Sequence, residues 1–173
     1  MRTLIILKSY HHRNTQKIAE RIAPILEAKI TGPEIIDPED LEVINELNTY
    51  DLIGFGSGIY MGNHHKDLTN FVKKLPSFFG KQAFIFSTCG GDEKDTESNH
   101  ALLRNLLLER KFDILGEFSC KGWDSVGPLR LIGGIHRDRP NEEDFKNAEN
   151  FARDLRDKHP EVYNGNNHQN NEE

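Results

Sequence analysis

TLIILKSYHHRNTQKIAERI, Thr3 to Ile22, is the stretch from which the rest of the chain can be read. Thr3 to Leu7 is a continuous aliphatic run, the mark of a strand buried on both faces. Asn14 or Thr15 then caps a helix expected to run to about Lys29, with Ile18, Ile22, Ile25 and Leu26 on one face. At the junction, the free N–H groups and the dipole of that helix favour an anion. Ser9, His11, Asn14 and Thr15 can add side-chain donors, which makes the loop a phosphate cradle. The alternative is plain helix capping, and position by itself does not separate the two. A metal on His11 and His12 is disfavoured, because adjacent side chains rarely point the same way and no cysteine or carboxylate stands close by.

Outward from this unit the pattern repeats. Glu34 to Asp37 reads as a second short strand, Pro38 to Leu47 as a short helix or turn, and Tyr50 to Gly56 as a third buried strand. Lys66 to Leu75 has helical spacing and Pro76 ends it. Gln82 to Thr88 is a fourth strand, Ser98 to Lys111 an amphipathic helix, and Ile114 to Lys121 a fifth strand. Trp123 to Pro140 is a connection containing glycine and proline, and Asn141 to Lys158 is a final helix. Strands alternating with helices predict an α/β fold: a single doubly wound domain over residues 1–160, with a five-stranded parallel sheet and helices on both faces. Residues 161–173 are polar and expected to be a disordered tail.

Composition narrows the function. The chain has 173 residues, enough for one ordinary domain with a sizeable core. Lys+Arg number 22 against Asp+Glu 28, a net charge of −6, which argues against a nucleic-acid or anionic-membrane surface. The two cysteines, Cys89 and Cys120, cannot by themselves hold an iron–sulfur cluster or an all-cysteine zinc site. The short apolar N-terminal run does not suit a signal peptide, and no stretch approaches the ~20 apolar residues of a membrane span. A cytoplasmic, reduced protein is expected.

In doubly wound sheets, ligands bind beyond the carboxyl ends of the strands. The loops of interest are therefore Ser9–Thr15, Ser57–His65 and Thr88–Thr96. The second, within FGSGIYMGNHH, fails a G-x-G-x-x-G match, yet Tyr60 or Met61 can lie against a flat ring. It can equally be a surface loop with an incidental tyrosine, and His64–His65 reads as a solvated loop tip. In the third, Gly90–Gly91 allows backbone N–H groups to approach a ligand closely. Cys89 does not start a phosphatase loop, because Asp95 stands where Cys-x5-Arg needs its arginine. A receiver domain needs an acidic pocket where this chain has Lys8–Ser9. No nucleophile–base pair and no carboxylate pair stands out, so a bound cofactor is expected to supply the chemistry.

Taken together, the loop leading into NTQKIAERI, DLIGFGSGIYMG at the third strand and FIFSTCGG at the fourth resemble the flavodoxin family over residues 1 to about 158. The closest resemblance is to a branch with a His-His-x-Asn-Thr phosphate loop. The resemblance implies strand order 2-1-3-4-5 and noncovalent FMN. Ser9, His11, Arg13, Asn14 and Thr15 would hold the phosphate. Ser57, Gly58, Ile59, Tyr60 and Met61 would flank the isoalloxazine, and Thr88, Cys89, Gly90 and Gly91 would close the other side. Gly58 would offer its carbonyl to the reduced flavin, and Asp92, Glu93 and Asp95 would lower its potential.

Two departures stand out. Arg13 replaces a family glycine, and the only tryptophan, Trp123, follows strand five, where it is either core or a lid. The function implied is electron transfer, with the flavin passing through oxidised, semiquinone and hydroquinone states and no metal involved. The partner would be a redox protein or a small-molecule electron acceptor, not nucleic acid or membrane, and the chain a monomer or homodimer. One alternative is an NAD(P)H-dependent FMN or quinone oxidoreductase, with His64, His65, Arg130 or Arg137 meeting the nucleotide phosphate. Another is a flavin-free binding module with Arg13 in the phosphate's place.

Overall fold

A computed structural model describes residues 2–91, 95–125 and 127–158. The elements in chain order are β1 (Thr3–Lys8), α1 (Asn14–Leu26), β2 (Ala28–Thr31), α2 (Leu41–Asn48), β3 (Leu52–Tyr60), β4 (Asn63–His64), α3 (Lys66–Lys74), β5 (Lys81–Cys89), α4 (Thr96–Glu109), β6 (Phe112–Lys121) and α5 (Glu142–Lys158). Five strands run parallel in the order β2-β1-β3-β5-β6, and the two-residue β4 pairs antiparallel with β3 off that path. The fold is therefore the expected doubly wound one, with one short strand more than foreseen.

Two cores, one on each face of the sheet, account for the uninterrupted apolar strands. Leu4, Ile6, Ile53, Phe55, Ala83 and Ile85 pack with residues of α2, α3 and α4. Ile5, Leu7, Leu52, Phe84 and Phe86 pack on the other side with Ile18, Ile22 and Leu26 of α1 and Ala148, Ala152 and Leu155 of α5. Alternate residues of each central strand thus enter different cores, and each large side chain so buried contributes ~1.5–3 kcal/mol. The glycines of β3 belong to this packing. A Cβ on Gly54 would lie 2.2 Å from the Phe84 ring, and one on Gly56 2.1 Å from that of Phe86.

Several boundaries differ from expectation. The second strand is Ala28–Thr31, not Glu34 to Asp37, which is a turn followed by irregular backbone. Helix α1 stops at Leu26 because Glu27 turns left-handed (φ 51°) as its C-cap, so Lys29 joins the sheet. As an edge strand, β2 is only half-buried and carries little apolar signal. Strand β3 runs past Gly56 to Tyr60 and returns through a turn with Met61 at φ 51° and Gly62 at φ 77°, the two positive values of a type I′ hairpin. Helix α5 begins at Glu142, with Asn141 Oδ1 accepting from the N–H groups of Glu143 and Asp144. Residues 161–173, expected as the tail, lie outside the described residues.

The register sets the site. Lys8 pairs with Ser57 and Gly58 with Thr88, so β1, β3 and β5 end at one edge. The loops beginning at Ser9, Gly58 and Cys89 meet there.

Candidate functional site

A cleft opens at that edge. Its walls are Ser9, Tyr10, His11, Asn14 and Thr15 from the first loop, Gly58 to Met61 from the β3 hairpin, Thr88 to Gly90 after β5, and Gly122 to Asp124 after β6. Eleven of the fourteen residues expected in a binding site stand among these: Ser9, His11, Asn14, Thr15, Gly58, Ile59, Tyr60, Met61, Thr88, Cys89 and Gly90. Ser57, Arg13 and Gly91 are not brought to the cleft wall. Ser57 is fully buried, and Gly91 lies just beyond Gly90.

The first loop is bent sharply into the helix. His12 and Arg13 both adopt left-handed backbone (φ 52° and 54°), a conformation costing ~1–3 kcal/mol per non-glycine residue. This is the physical reason that a glycine, as the flavodoxin resemblance implies, would suit the Arg13 position. The Arg13 side chain turns outward, bonding Gln16 Oε1 at 3.1 Å and pairing with Glu20 at 3.6 Å. It does not occupy the cleft.

Asn14 and Thr15 do not cap α1 as expected. Arg13 is the N-cap residue and makes no side-chain cap bond. Asn14 is buried, and its Nδ2 donates to the Trp123 carbonyl at 2.8 Å, while its Oδ1 is buried without a partner among the described residues. Thr15 Oγ1 bonds Thr88 Oγ1 at 2.9 Å and ties the first loop to β5. Ser9 Oγ accepts from the Gln16 N–H at 3.3 Å. A helix N-terminus whose N-cap side chain makes no cap bond is thus held at one end of the cleft, where the helix dipole favours an anion.

The fourth segment was foreseen only as a choice between core and lid for Trp123. The indole is half-buried at the cleft wall and stacks on His12, with ring centroids 3.6 Å apart and 10° between planes. His12 Nε2 reaches Ser125 Oγ at 2.7 Å. Burial, helped by neighbouring His11, lowers the His12 pKa. Gly122 N–H donates to the Cys89 carbonyl at 2.8 Å. The packing is close enough to exclude side chains: a Cβ on Gly122 would lie 2.8 Å from Asn14 Nδ2, and one on Gly90 2.4 Å from the Asp124 carboxylate.

Tyr60 leans across the cleft. Its hydroxyl stands 3.0 Å from the Cβ position of Gly58, and its ring lies 5.8 Å from that of His11 and 5.3 Å from that of His65. Burial raises its pKa. Beyond it, His64 and His65 are not a solvated loop tip. The β3–β4 return turns His64 inward, 4% exposed, with Nδ1 2.8 Å from Ser57 Oγ. His65 Nδ1 caps α3 by accepting from the Asp67 N–H. Arg137 bonds the Gly133 and Ile132 carbonyls through Nε and Nη2. The side chain of Arg130 lies outside the described residues, as do Asp92 and Glu93. Asp95 is exposed at the start of α4.

A family model of the flavodoxin domain matches residues 4–120. The chain belongs to the flavodoxin domain family. It is 45% identical over 155 residues to an uncharacterized protein of Methanocaldococcus jannaschii, covering 90% of this chain and 98% of that one. The fold is similar to that of oxidised flavodoxin 2 from Bacillus cereus, with a TM-score of 0.66 at 19% identity, over 91% of this chain and 99% of that one. It is also similar to general stress protein 14 of Treponema denticola in complex with FMN, with a TM-score of 0.56 at 13% identity, over 94% and 99% of the two chains. The residues matched by the family model end at Cys120, so they include the three expected loops and stop just before the Gly122–Asp124 wall. Among the described residues, no helix is long and apolar enough to cross a membrane.

Proposed function

We propose that this flavodoxin-family chain binds FMN in the cleft and acts in electron transfer. The observation that carries the reading is the pairing, in one cleft, of the N-terminus of α1, whose N-cap side chain makes no cap bond, with the buried Asn14 Oδ1, which has no partner among the described residues. An anion fits the first and a hydroxyl donor the second. FMN offers a phosphate and a polyol chain next to each other. The flat wall of Tyr60 and Trp123, with Gly58 and Gly90 leaving backbone open where a Cβ would clash, suits a planar ring. The residues present therefore fit the group. The FMN complex of the Treponema denticola protein supports the choice of cofactor.

In this reading, bound FMN supplies reversible redox chemistry. The α1 N-terminus, Ser9, His11 and Thr15 hold its phosphate end, Asn14 Oδ1 accepts from its polyol chain, and Gly58 to Met61 with Thr88 to Gly90 flank its ring. Tyr60 and Trp123 keep water from the ring faces. A redox protein or a small-molecule acceptor is the expected partner. Arg13, turned toward Glu20, gives no support to a flavin-free module.

The test is a visible absorption spectrum of the purified protein, then FMN titration of the stripped chain and NAD(P)H oxidation with a quinone. The expected result is one equivalent of FMN, reversible reduction and no nucleotide turnover. A chain that takes up no FMN refutes the reading, and turnover with NADH or NADPH reassigns it to a reductase. Arg13→Ala is expected to leave FMN affinity within about twofold, because it removes only exposed contacts outside the cleft, the bond to Gln16 and the ion pair with Glu20. A large loss would mean that Arg13 swings in to meet the phosphate.

A further inference from the structure

Behind the β3 wall lies a buried polar chain that the proposed function leaves unused. Ser57 Oγ donates to the Gly58 carbonyl at 2.9 Å, accepts from the His65 N–H at 3.0 Å, and lies 2.8 Å from His64 Nδ1. The His64 ring packs 4.8 Å from that of His100. His100 is wholly buried, with Nε2 2.8 Å from Ser87 Oγ and Nδ1 2.8 Å from Glu117 Oε2. Arg104 completes the chain with two bonds to Glu117 at 2.5 and 2.8 Å.

The two histidines are held differently. Glu117 stays ionised, with its pKa lowered to about 2 by the bonds from His100 and Arg104. A carboxylate only accepts, so Nδ1 of His100 must carry a proton. His64 has no such anchor, since its Nε2 is buried without a partner among the described residues. Only Ser57 decides which nitrogen of His64 carries the proton. A hydroxyl has one proton to give. While Ser57 gives it to Gly58, His64 must donate from Nδ1. If His64 carries its proton on Nε2, bare Nδ1 competes for the Ser57 proton and the Gly58 carbonyl is released.

We propose that His64 is a positioning residue: with Ser57 it forms a latch that holds the Gly58 carbonyl in the protein interior or releases it to a ligand N–H in the cleft. The inference rests on the FMN reading for its ligand, because a reduced flavin ring carries an N–H that the oxidised ring lacks. Burial supports a neutral ring, which keeps both tautomers available and lowers the His64 pKa well below its usual value. No net proton leaves the pair when the latch changes. Gly58 suits the role, since its peptide can turn without a side chain striking Tyr60.

The latch makes a prediction that a merely structural role does not. Ser57→Ala removes the internal donor and frees the carbonyl, so reduced FMN should gain affinity relative to oxidised FMN by about fivefold, the effect of one hydrogen bond. His64→Leu removes the competitor and leaves the Ser57 proton on Gly58, so the ratio should shift about fivefold the other way. His64→Asn, whose amide can donate or accept near the Nδ1 position, should restore the parent ratio. The readout is the midpoint potential of each holoprotein together with the affinity for oxidised FMN. Shifts in the same direction, or none, overturn the latch. A second measurement uses the flavin-free chain: nitrogen-15 correlations of the His64 ring should show the proton on Nδ1, and a proton on Nε2 overturns the latch whether or not FMN binds. Failure of the parent to take up FMN refutes the proposed function, and the ring measurement still decides the latch.

Discussion

Gly122 and Asn14 are 108 positions apart in sequence, yet Gly122 has no room for a side chain while Asn14 stays in place. A methyl group on Gly122 would sit 2.8 Å from Asn14 Nδ2 and 3.1 Å from its Cγ. Asn14 is buried and tied to the Trp123 carbonyl, so it has no room to yield. Gly122→Ala should therefore cost ~1–3 kcal/mol, the usual range for overpacking a filled site, and should weaken FMN uptake in parallel. Urea denaturation and flavin titration read the two effects. A variant with both unchanged would show that Asn14 is not fixed at the cleft. At the same scale, the inward turn of His64 was not legible from neighbouring residues. HH after Gly62–Asn63 looks like a loop tip, and only pairing of Ile59 with His64 and Tyr60 with Asn63 puts one imidazole under the sheet edge.

The element with the largest consequence is the irregular connection after β6. It returns to the cleft through the Trp123 N–H bond to the Arg139 carbonyl and through Asp124 and Ile135, whose N–H groups donate to each other's carbonyls. The Trp123 indole covers one face of His12 and shields part of the imidazole from water. Trp123→Ala should raise the His12 pKa toward its ordinary value, because burial is the largest cause of its lowering. A proton-NMR titration of the histidine signals reads this directly. An unshifted His12 would mean that another group buries it. The same variant should loosen the first loop and lower FMN affinity, since His12 also loses the stacking partner that steadies its left-handed backbone.

For the whole molecule, the buried histidines and Glu117 predict a marked loss of stability in acid. His64 has a folded pKa well below its unfolded value near 6.5, mainly through burial. As pH falls past ~6.5, the unfolded chain takes up a proton that the folded chain refuses, and stability drops. His12 and His65 act in the same direction. Glu117 stabilises the fold fully above its ordinary value of 4.5, and its contribution is lost as pH falls from there toward about 2. Urea midpoints should thus fall from pH 7.5 to 5.5, and more steeply below 4.5. His64→Asn should flatten the upper part of that fall. Equal midpoints at pH 7.5 and 5.5 in the parent would contradict a neutral, buried His64.

Local sequence by itself determined the alternation of strands and helices, the two-sided burial of the central strands and the three loops that meet at one edge. These follow from apolar runs and helical spacing, which depend only on near neighbours in the chain. Resemblance then supplied the cofactor and the strand order. The tertiary structure decided the rest: the edge strand at Ala28–Thr31, the outward turn of Arg13, the Gly122–Asp124 wall and the buried His64–Ser57 pair. An edge strand shows little apolar pattern because it is half-exposed, and a side chain's direction in a left-handed loop is set by what packs against it. Contacts between Asn14 and Trp123, or Thr15 and Thr88, exist only once the sheet has brought distant loops together.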